Sequence, residues 1–483
     1  MMTRLLRKLL TIGLWMLSGG VLVFMAVGIW YLESRPDLRP WHDIYLKSEV
    51  TEDDMPDSFN GYLEAEAKLF EALQRDIVEP LDAADKSTIS RFTKGSKSDP
   101  AQWQKNWNHS FELPGSGTGI LLLHGMSDSP YSLRAFGKEL NSQGHHIVGL
   151  RLPGHGTAPS GLVHMHWEDM AAAVRMAMRH LRKQTDGRPV YIIGYSNGAA
   201  LAVHYSLSAL SDTTLPPADG LVLISPQIQI TPAAALAKWQ SRIGRLIGFA
   251  KLAWNSLGPE YDPFKYISFA VNAGQQSFEI TQEIARQLEE LSGNTALAHM
   301  PKTLSFQSVA DATIVARGIV DGLLKKLPSG NHHLVLFDMN RESASLQTIS
   351  RDPLDQFRNI INAPKLPFDF TFITNIAVGK EDTVARFKQR GEDTTRNTDL
   401  NVIWPDDMFS LSHVALPFPP NDPLYGRVQP EHDNHIYLGR LDYRGERGIL
   451  EISANDMLRQ RWNPFYSYML REITKFIEKP NTN

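Results

Sequence analysis

One serine in this chain has the neighbours that a covalent nucleophile needs. Ser196 lies in the pattern Gly-x-Ser-x-Gly, between Gly194 and Gly198. The preceding residues, 190–193, form a short apolar run typical of a buried strand, and residues 198–210 predict a helix that begins with small residues. A tight turn between such a strand and such a helix holds the serine in a strained, exposed conformation. The glycines are required because a side chain at either position would collide with the neighbouring strand or helix.

Two further motifs precede this turn. A strand-like apolar run ends in His-Gly at 124–125, and a second one, residues 146–150, leads into Arg-x-Pro-Gly-His-Gly. Together and in this order, the three motifs resemble those of the α/β-hydrolase superfamily, within it the carboxylesterase and monoacylglycerol-lipase-like branch. The resemblance covers residues 117–226, and shorter motifs extend it at 300–315 and 410–425. It implies an α/β-hydrolase fold, a mostly parallel central sheet flanked by helices, with a helical cap insertion over the active site.

A serine nucleophile needs a base, and His413 is the predicted one. In this fold the expected chain order is serine, then acid, then histidine. His413 follows the strand-like residues 400–404, and a loop after a late strand is where the base is needed. His332 and His333 precede their predicted strand, which would place them at the opposite end of the sheet.

The base in turn needs a carboxylate to orient it, and two aspartates compete for this role. Asp311 ends a strand-like segment directly after the predicted cap, as the resemblance implies for the acid. Asp382 also follows a strand-like run, residues 368–378, and is much closer to His413 in the chain. We favour Asp311, although its distance from His413 requires an insertion between them. For either residue, the alternative is a loop aspartate that caps a helix.

The resemblance also implies an oxyanion hole made of two backbone N–H groups, those of Met126 and Asn197. Asn197 directly follows the nucleophile, and Met126 lies in the loop after His-Gly. Two such donors stabilise the tetrahedral oxyanion, and the loss of one typically costs about 3–4 kcal/mol of barrier.

Composition excludes several classes of protein and of functional site. With 483 residues and a net charge of −4, the chain can bury a full core and has no basic footprint for nucleic acid. It contains no cysteine, which excludes disulfides, thiolate metal sites and a cysteine nucleophile. No metal or organic cofactor is implied.

The amino terminus predicts a membrane anchor. Residues 9–32 carry no charge and are long enough to span a bilayer, which requires about 20 apolar residues. They follow three cations, Arg4, Arg7 and Lys8. This charge distribution predicts a single-pass protein with its catalytic domain outside the cytoplasm, in the periplasm if the protein is bacterial. The competing interpretation is a cleaved signal peptide, because Ala26-x-Gly28 loosely resembles a cleavage site.

The predicted organisation follows from these segments: an anchor or signal peptide at 1–35, a membrane-proximal stem at 36–110, and a hydrolase domain at 111–480. Within that domain we expect the cap at 226–300 and a further insertion at about 340–400. Residues 235–254 of the cap predict a helix with one basic face, which is either solvated or in contact with anionic lipid.

These features predict a membrane-anchored serine hydrolase that cleaves carboxylic esters, small or lipid-like, through an acyl-enzyme. The alternatives are an acyltransferase or a peptidase with the same triad, and a non-catalytic, membrane-tethered binding protein built on a hydrolase fold. The expected partners are an ester substrate and a membrane, with no nucleic acid. The sequence leaves the oligomeric state open.

Overall fold

The computed structural model describes residues 2–230, 250–342, 349–430, 434–440 and 457–479. The predicted basic helix at 235–254 therefore lies largely outside the described residues.

Within these ranges, ten strands form one central sheet in the order β1-β3-β2-β4-β5-β8-β9-β10-β11-β12, and β6 and β7 form a small separate pair. Neighbours from β3 to β10 run parallel, whereas β1 pairs antiparallel with β3, and β11 and β12 form an antiparallel extension. The strands are β1 (Phe111–Leu113), β2 (Gly119–Leu123), β3 (His146–Leu150), β4 (Val190–Tyr195), β5 (Gly220–Ile224), β6 (Trp254–Ser256), β7 (Phe269–Ala270), β8 (Lys302–Ser308), β9 (His332–Phe337), β10 (Asp369–Asn375), β11 (Asp382–Lys388) and β12 (Thr395–Ile403).

Helices cover both faces of this sheet. The described α-helices are α1 (Met2–Glu33), α2 (Pro40–Asp43), α3 (Phe59–Leu73), α4 (Arg134–Ser142), α5 (Gly161–His164), α6 (Trp167–Gln184), α7 (Asn197–Ser211), α8 (Val271–Glu290), α9 (Arg358–Ile361) and α10 (Tyr466–Glu478). Helices α6 and α7 contribute to one hydrophobic core, and α4 and α10 contribute to a second. Strands β2 to β5 are buried along their whole length, as expected for a parallel sheet covered on both faces. The chain therefore has the predicted α/β-hydrolase fold.

Residues 36–110 were predicted to form a membrane-proximal stem, and in the structure part of this segment packs on the hydrolase core. Phe59 and Tyr62 of α3 are fully buried in the same cluster as Leu121 of β2. The hydroxyl of Tyr62 donates a hydrogen bond of 2.7 Å to the carbonyl of Arg151. The apolar face of α3 is thus a packing surface for the domain.

A buried ion network fixes the same contact. The guanidinium of Arg151 lies 2.9 Å from Glu49 and 3.1 Å from Glu66, two carboxylates of the amino-terminal segment. Burial alone would raise the pKa of Glu66, but the hydrogen bond from His109 and the charge of Arg151 outweigh burial and lower it. The Arg-x-Pro-Gly-His-Gly motif is therefore held by residues that the sequence did not connect to it.

The segment at 340–400, predicted as an insertion, extends the central sheet. Strand β10 pairs in parallel with β9, and β11 and β12 follow as antiparallel neighbours. Strand β12 is mostly exposed, as is typical of an edge strand.

The described part of the predicted cap, 226–230 and 250–300, has two different portions. Residues 254–270 contain the β6–β7 pair and lie against the site described below. Helix α8 instead packs beside α7 within the helical layer. Both portions contribute to the lining of that site, the first through the β6–β7 region and α8 through Gly274 and Ser277.

Helix α1 matches the predicted anchor in length and composition. The stretch Lys8–Glu33 is long and apolar enough to cross a membrane. A signal sequence has the same properties, so the finding supports a membrane span or a signal sequence alike.

Candidate active site

The turn between β4 and α7 holds Ser196 in the predicted strained conformation. Its backbone angles are φ 54° and ψ −114°, in a region that non-glycine residues rarely adopt. A Cβ at Gly198 would lie 2.1 Å from the carbonyl oxygen of Leu123, and a Cβ at Gly194 would lie 2.5 Å from that of Gly198. Both glycines are therefore needed for the close approach of β2, the turn and α7, as predicted.

The structure brings Asp311 and His413 together. Oδ2 of Asp311 lies 2.7 Å from Nδ1 of His413, and both side chains are buried. The other oxygen, Oδ1, accepts the backbone N–H of Thr313 at 2.9 Å, so the carboxylate caps its loop and contacts the histidine at once. Burial raises the pKa of Asp311, but the charge and hydrogen bond of His413 outweigh burial and lower it. Asp311 is therefore held as a carboxylate that can orient the imidazole.

His413 reaches this position because the chain returns from the sheet extension. Two carbonyls of the loop that follows β12 accept hydrogen bonds from the core of the domain. The carbonyl of Leu411 accepts from the hydroxyl of Ser308 at 2.8 Å, and that of Phe409 accepts from the backbone N–H of Asn340 at 2.8 Å. These bonds hold the loop against the carboxyl ends of β8 and β9. His413 then begins a 3₁₀ turn beside Asp311.

The competing residues lie elsewhere. Asp382 is the exposed first residue of β11. His332 and His333 are the first residues of β9, and His332 pairs with Thr303 at the start of β8, the opposite end of the sheet from Asp311. The structure therefore does not bring His332 or His333 to Asp311, and it does not bring Asp382 to His413.

Ser196 and His413 line one cavity of about 710 Å³. This volume is within the range of small-molecule sites, about 300–1,000 Å³. Its wall combines residues of the β2 and β4 turns, the β6–β7 region and the loop around His413. Apolar members of the lining are Met126, Ile230, Leu257, Ile267, Phe269, Val414 and Phe418.

The two predicted oxyanion donors flank the serine. Asn197 is the first residue of α7, a position whose N–H has no acceptor within the helix. Met126 lines the cavity, and a Cβ at the preceding Gly125 would lie 3.2 Å from that of Ser196. The backbone at 125–126 therefore runs beside Ser196.

His124, the histidine of the His-Gly motif, joins two turns of the chain. Nε2 of His124 accepts the backbone N–H of Leu152 at 3.0 Å, which ties the β2 turn to the turn after β3. Burial holds the pKa of His124 well below its usual value, so the ring is neutral and can accept this bond.

Charged residues of the cavity were not identified from the sequence. Lys265 forms an ion pair of 2.7 Å with Asp128, and Arg459 donates to the hydroxyl of Thr313 at 2.7 Å. Asp128 follows the His-Gly motif closely enough to have been a candidate, but neither cation lies in a recognisable pattern. Among the described residues, no cluster of three or more His, Cys, Asp or Glu has the arrangement of a metal site.

Comparison with known proteins agrees with the fold. Residues 118–339 match the family model described as serine aminopeptidase, S33, which confirms the α/β-hydrolase resemblance of the motifs. A search of curated proteins gave no significant match.

Three similar solved structures are all lipolytic enzymes. The first is a chain from the work on LipS and LipT, two metagenome-derived lipolytic enzymes. It has 20% identity and a TM-score of 0.37, over 48% of this chain and 88% of that one. A monoacylglycerol lipase of Paleococcus ferrophilus has 18% identity and a TM-score of 0.36, over 47% and 88%. A soluble variant of the Saccharomyces cerevisiae monoglyceride lipase, in complex with a substrate analog, has 16% identity and a TM-score of 0.35, over 47% and 81%.

Proposed function

We propose that the protein is a membrane-anchored serine hydrolase that cleaves carboxylic esters through an acyl-enzyme. Ser196 is the nucleophile, His413 moves the proton and Asp311 orients the imidazole. The backbone N–H groups of Met126 and Asn197 form the oxyanion hole. The observation that carries this proposal is the 2.7 Å contact between Asp311 and His413, at the cavity that Ser196 lines.

The chemistry follows from this contact. With Nδ1–H donated to the carboxylate, Nε2 of His413 is left to accept the proton of the Ser196 hydroxyl. The serine oxygen then bonds to the ester carbonyl carbon, and the carbonyl oxygen becomes the oxyanion that the two N–H groups stabilise. His413 returns the proton to the departing alcohol. Water repeats the same steps on the acyl-enzyme and releases the acid and free Ser196.

Ester cleavage is preferred to two alternatives that use the same groups. A peptidase is suggested by the description of the matched family, serine aminopeptidase. An acyltransferase would differ only in using an alcohol other than water as acceptor. A series of ester substrates of rising acyl length, assayed beside aminoacyl amides and with an added alcohol acceptor, separates the three.

The direct test is Ser196→Ala, with Ser225→Ala as the matched control. Ser225 also has positive φ, 44°, at the end of the adjacent strand β5, but it is buried outside the cavity lining. We expect a fluorophosphonate to label the parent protein and Ser225→Ala but not Ser196→Ala. The Ser196→Ala protein should lose ester hydrolysis roughly 10⁶-fold. Undiminished labelling of Ser196→Ala, with the fold retained, would refute the assignment.

The anchor is a separate part of the proposal. We propose that residues 1–35 stay attached as a single-pass anchor and that the hydrolase domain, 111–480 with residues 36–110 packed on it, lies outside the cytoplasm. Protease added to intact spheroplasts should then digest the domain while cytoplasmic markers survive. Complete protection would reverse the orientation, and release by a carbonate wash would show that α1 does not span.

A further inference from the structure

The residues just after α1 are hydrogen-bonded to the segment in which the β6–β7 pair begins. Helix α1 ends at Glu33, and two residues later the guanidinium of Arg35 donates two hydrogen bonds. Its Nη1 donates to the carbonyl of Lys251 at 2.9 Å and to that of Trp254, the first residue of β6, at 2.8 Å. A tether that only attached the domain to a membrane would not need these bonds.

The contact is reciprocal. Nζ of Lys251 donates to the carbonyl of Arg35 at 3.0 Å and to the carboxylate of Asp37 at 2.8 Å. The exposed fraction of the side chains changes at the same point, from 71% at Trp30 and 53% at Tyr31 to 7% at Leu32. The helix therefore meets the folded domain at its last turn.

A second contact lies slightly further along, at His42 of α2. Nε2 of His42 is 2.9 Å from the hydroxyl of Ser268, which precedes β7, and its ring stacks edge-on against Trp254 at 4.9 Å. Burial lowers the pKa of His42 to about 3, so the ring remains neutral. Residues 34–42, which we call the juxtamembrane segment, thus hold both β6 and β7 from outside.

The inner side of these strands belongs to the cavity. Asn255 and Ser256 of β6, the following Leu257, and Phe269 of β7 line the same cavity as Ser196. One layer of two short strands therefore separates the juxtamembrane segment from the candidate active site.

The length of the span places this layer near a bilayer surface. Lys8–Glu33 contains 26 residues, and a helix of that length extends about 39 Å at 1.5 Å per residue. The hydrocarbon core is about 30 Å thick, so the last turns of α1 lie at the headgroup level, where Trp30 and Tyr31 are favoured.

We propose that the juxtamembrane segment is a brace that holds the β6–β7 wall at the membrane surface, so that esters resident in the bilayer enter the cavity directly. The partner surface is lipid, and the substrate class is an ester that partitions into it. Arg35 is a positioning residue, since it acts through the wall and does not touch the reacting atoms. This inference rests on the proposed function and the anchor.

The activity test compares two substrates on the full-length protein in phosphatidylcholine vesicles. One substrate is a mono-oleoyl ester in the vesicle, and the other is a water-soluble butyrate ester. Arg35→Ala should lower the vesicle rate roughly tenfold relative to the soluble rate, the size expected for losing charged hydrogen bonds. The matched control is Arg39→Ala, whose guanidinium bonds Asp85 instead, and its rate ratio should not change. Equal losses on both substrates, or no change in the ratio, would overturn the brace.

A second measurement does not depend on activity. Because the chain has no cysteine, a single Ser256→Cys variant can carry a fluorophore on the wall, and Thr398→Cys can carry one on β12 at the far edge of the sheet. Headgroup-labelled quencher lipids should quench the first label strongly and the second weakly. Equal quenching would overturn the proposed placement. If the parent protein were inactive on the soluble ester while the two labelled variants showed this quenching pattern, the hydrolase proposal would be refuted and the placement supported.

Discussion

The two halves of the sheet deliver their candidate catalytic residues in different ways. In the first half, β4 runs directly into the Ser196 turn and α7, and the whole unit spans about twenty consecutive residues. In the second half, Asp311 follows β8 at once, but its partner His413 lies 102 residues further along the chain. The intervening chain forms β9 to β12 before it returns to the carboxyl ends of β8 and β9.

The difference shows what each half requires of its environment. The first half is locally determined, because the residues that force the turn, Gly194 and Gly198, are the immediate neighbours of the serine. The second half depends on long-range contacts, because bonds from Ser308 and Asn340 must hold the returning loop. Substitutions in the two halves should therefore have different effects on activity and on the free energy of unfolding.

The largest difference is expected between the two aspartates. Asp311→Asn should lower kcat for ester hydrolysis by roughly 10⁴-fold, because an amide at this position no longer orients His413 in the working tautomer. Asp382→Asn, on the exposed start of β11, should leave kcat within a factor of about two. Steady-state kinetics on a soluble ester give both values. Similar losses in the two variants would contradict the geometric assignment of Asp311.

The next effect concerns two arginines that each bridge two acids. Arg151→Met leaves Glu49 and Glu66 buried without their cation and should lower the free energy of unfolding by about 3–5 kcal/mol. Arg341 in the second half pairs with Asp338 and Asp352, and the side chain of Asp352 is 30% exposed. Arg341→Met should therefore cost less, about 1–2 kcal/mol.

Urea unfolding of the full-length protein in detergent measures both losses. If Arg341→Met destabilised the protein as much as Arg151→Met, the second half would be as tightly coupled as the first.

A smaller contrast is expected between two glycines. Gly198→Ala forces a methyl group against the carbonyl of Leu123 and should destabilise the protein by about 1–3 kcal/mol and lower esterase activity. Gly391, in the turn after β11, has φ 73° but no atom within 4 Å of an added Cβ. Gly391→Ala should cost only the conformational strain, about 1 kcal/mol, with no loss of activity. Unchanged activity in Gly198→Ala would show that the turn tolerates displacement.

The last prediction is a pH dependence at Glu260, beside the β6–β7 pair. Glu260 is buried, accepts the backbone N–H of Ser268 at 2.8 Å, and supports the wall of the cavity. Burial raises its pKa from 4.5 to about 7. Between these values the folded state binds the proton more tightly than the unfolded state, so this contribution to stability is complete below pH 4.5 and is lost as the pH rises to 7.

Glu260→Gln keeps a neutral side chain at every pH and should remove this dependence. The parent should lose stability relative to Glu260→Gln by at most about 1.4 kcal/mol per pH unit between pH 4.5 and 7. Urea unfolding at several pH values provides the comparison, and parallel curves for the two proteins would contradict it.

The sequence predicted local units well and long-range ones poorly. The strand, turn and helix around Ser196 are confirmed, because the apolar pattern of a buried strand and the positions of the glycines act within a few residues. Nothing in the sequence indicated that part of residues 36–110 packs on the hydrolase core. Their partner Arg151 is distant in sequence, and no local pattern reports a contact at that separation. Lys265 and Arg459 were missed for the same reason.

The sequence by itself determined the strained turn at Ser196, the fold class and the candidate set that contains Asp311 and His413. It did so because a strained turn needs glycine and a buried parallel strand needs a continuous apolar run. Only the tertiary structure decided between Asp311 and Asp382 as the neighbour of His413, since that choice depends on where β10 to β12 join the sheet. It also decided that Arg35 meets the cavity wall, because chain segments more than 200 residues apart are brought together only by packing.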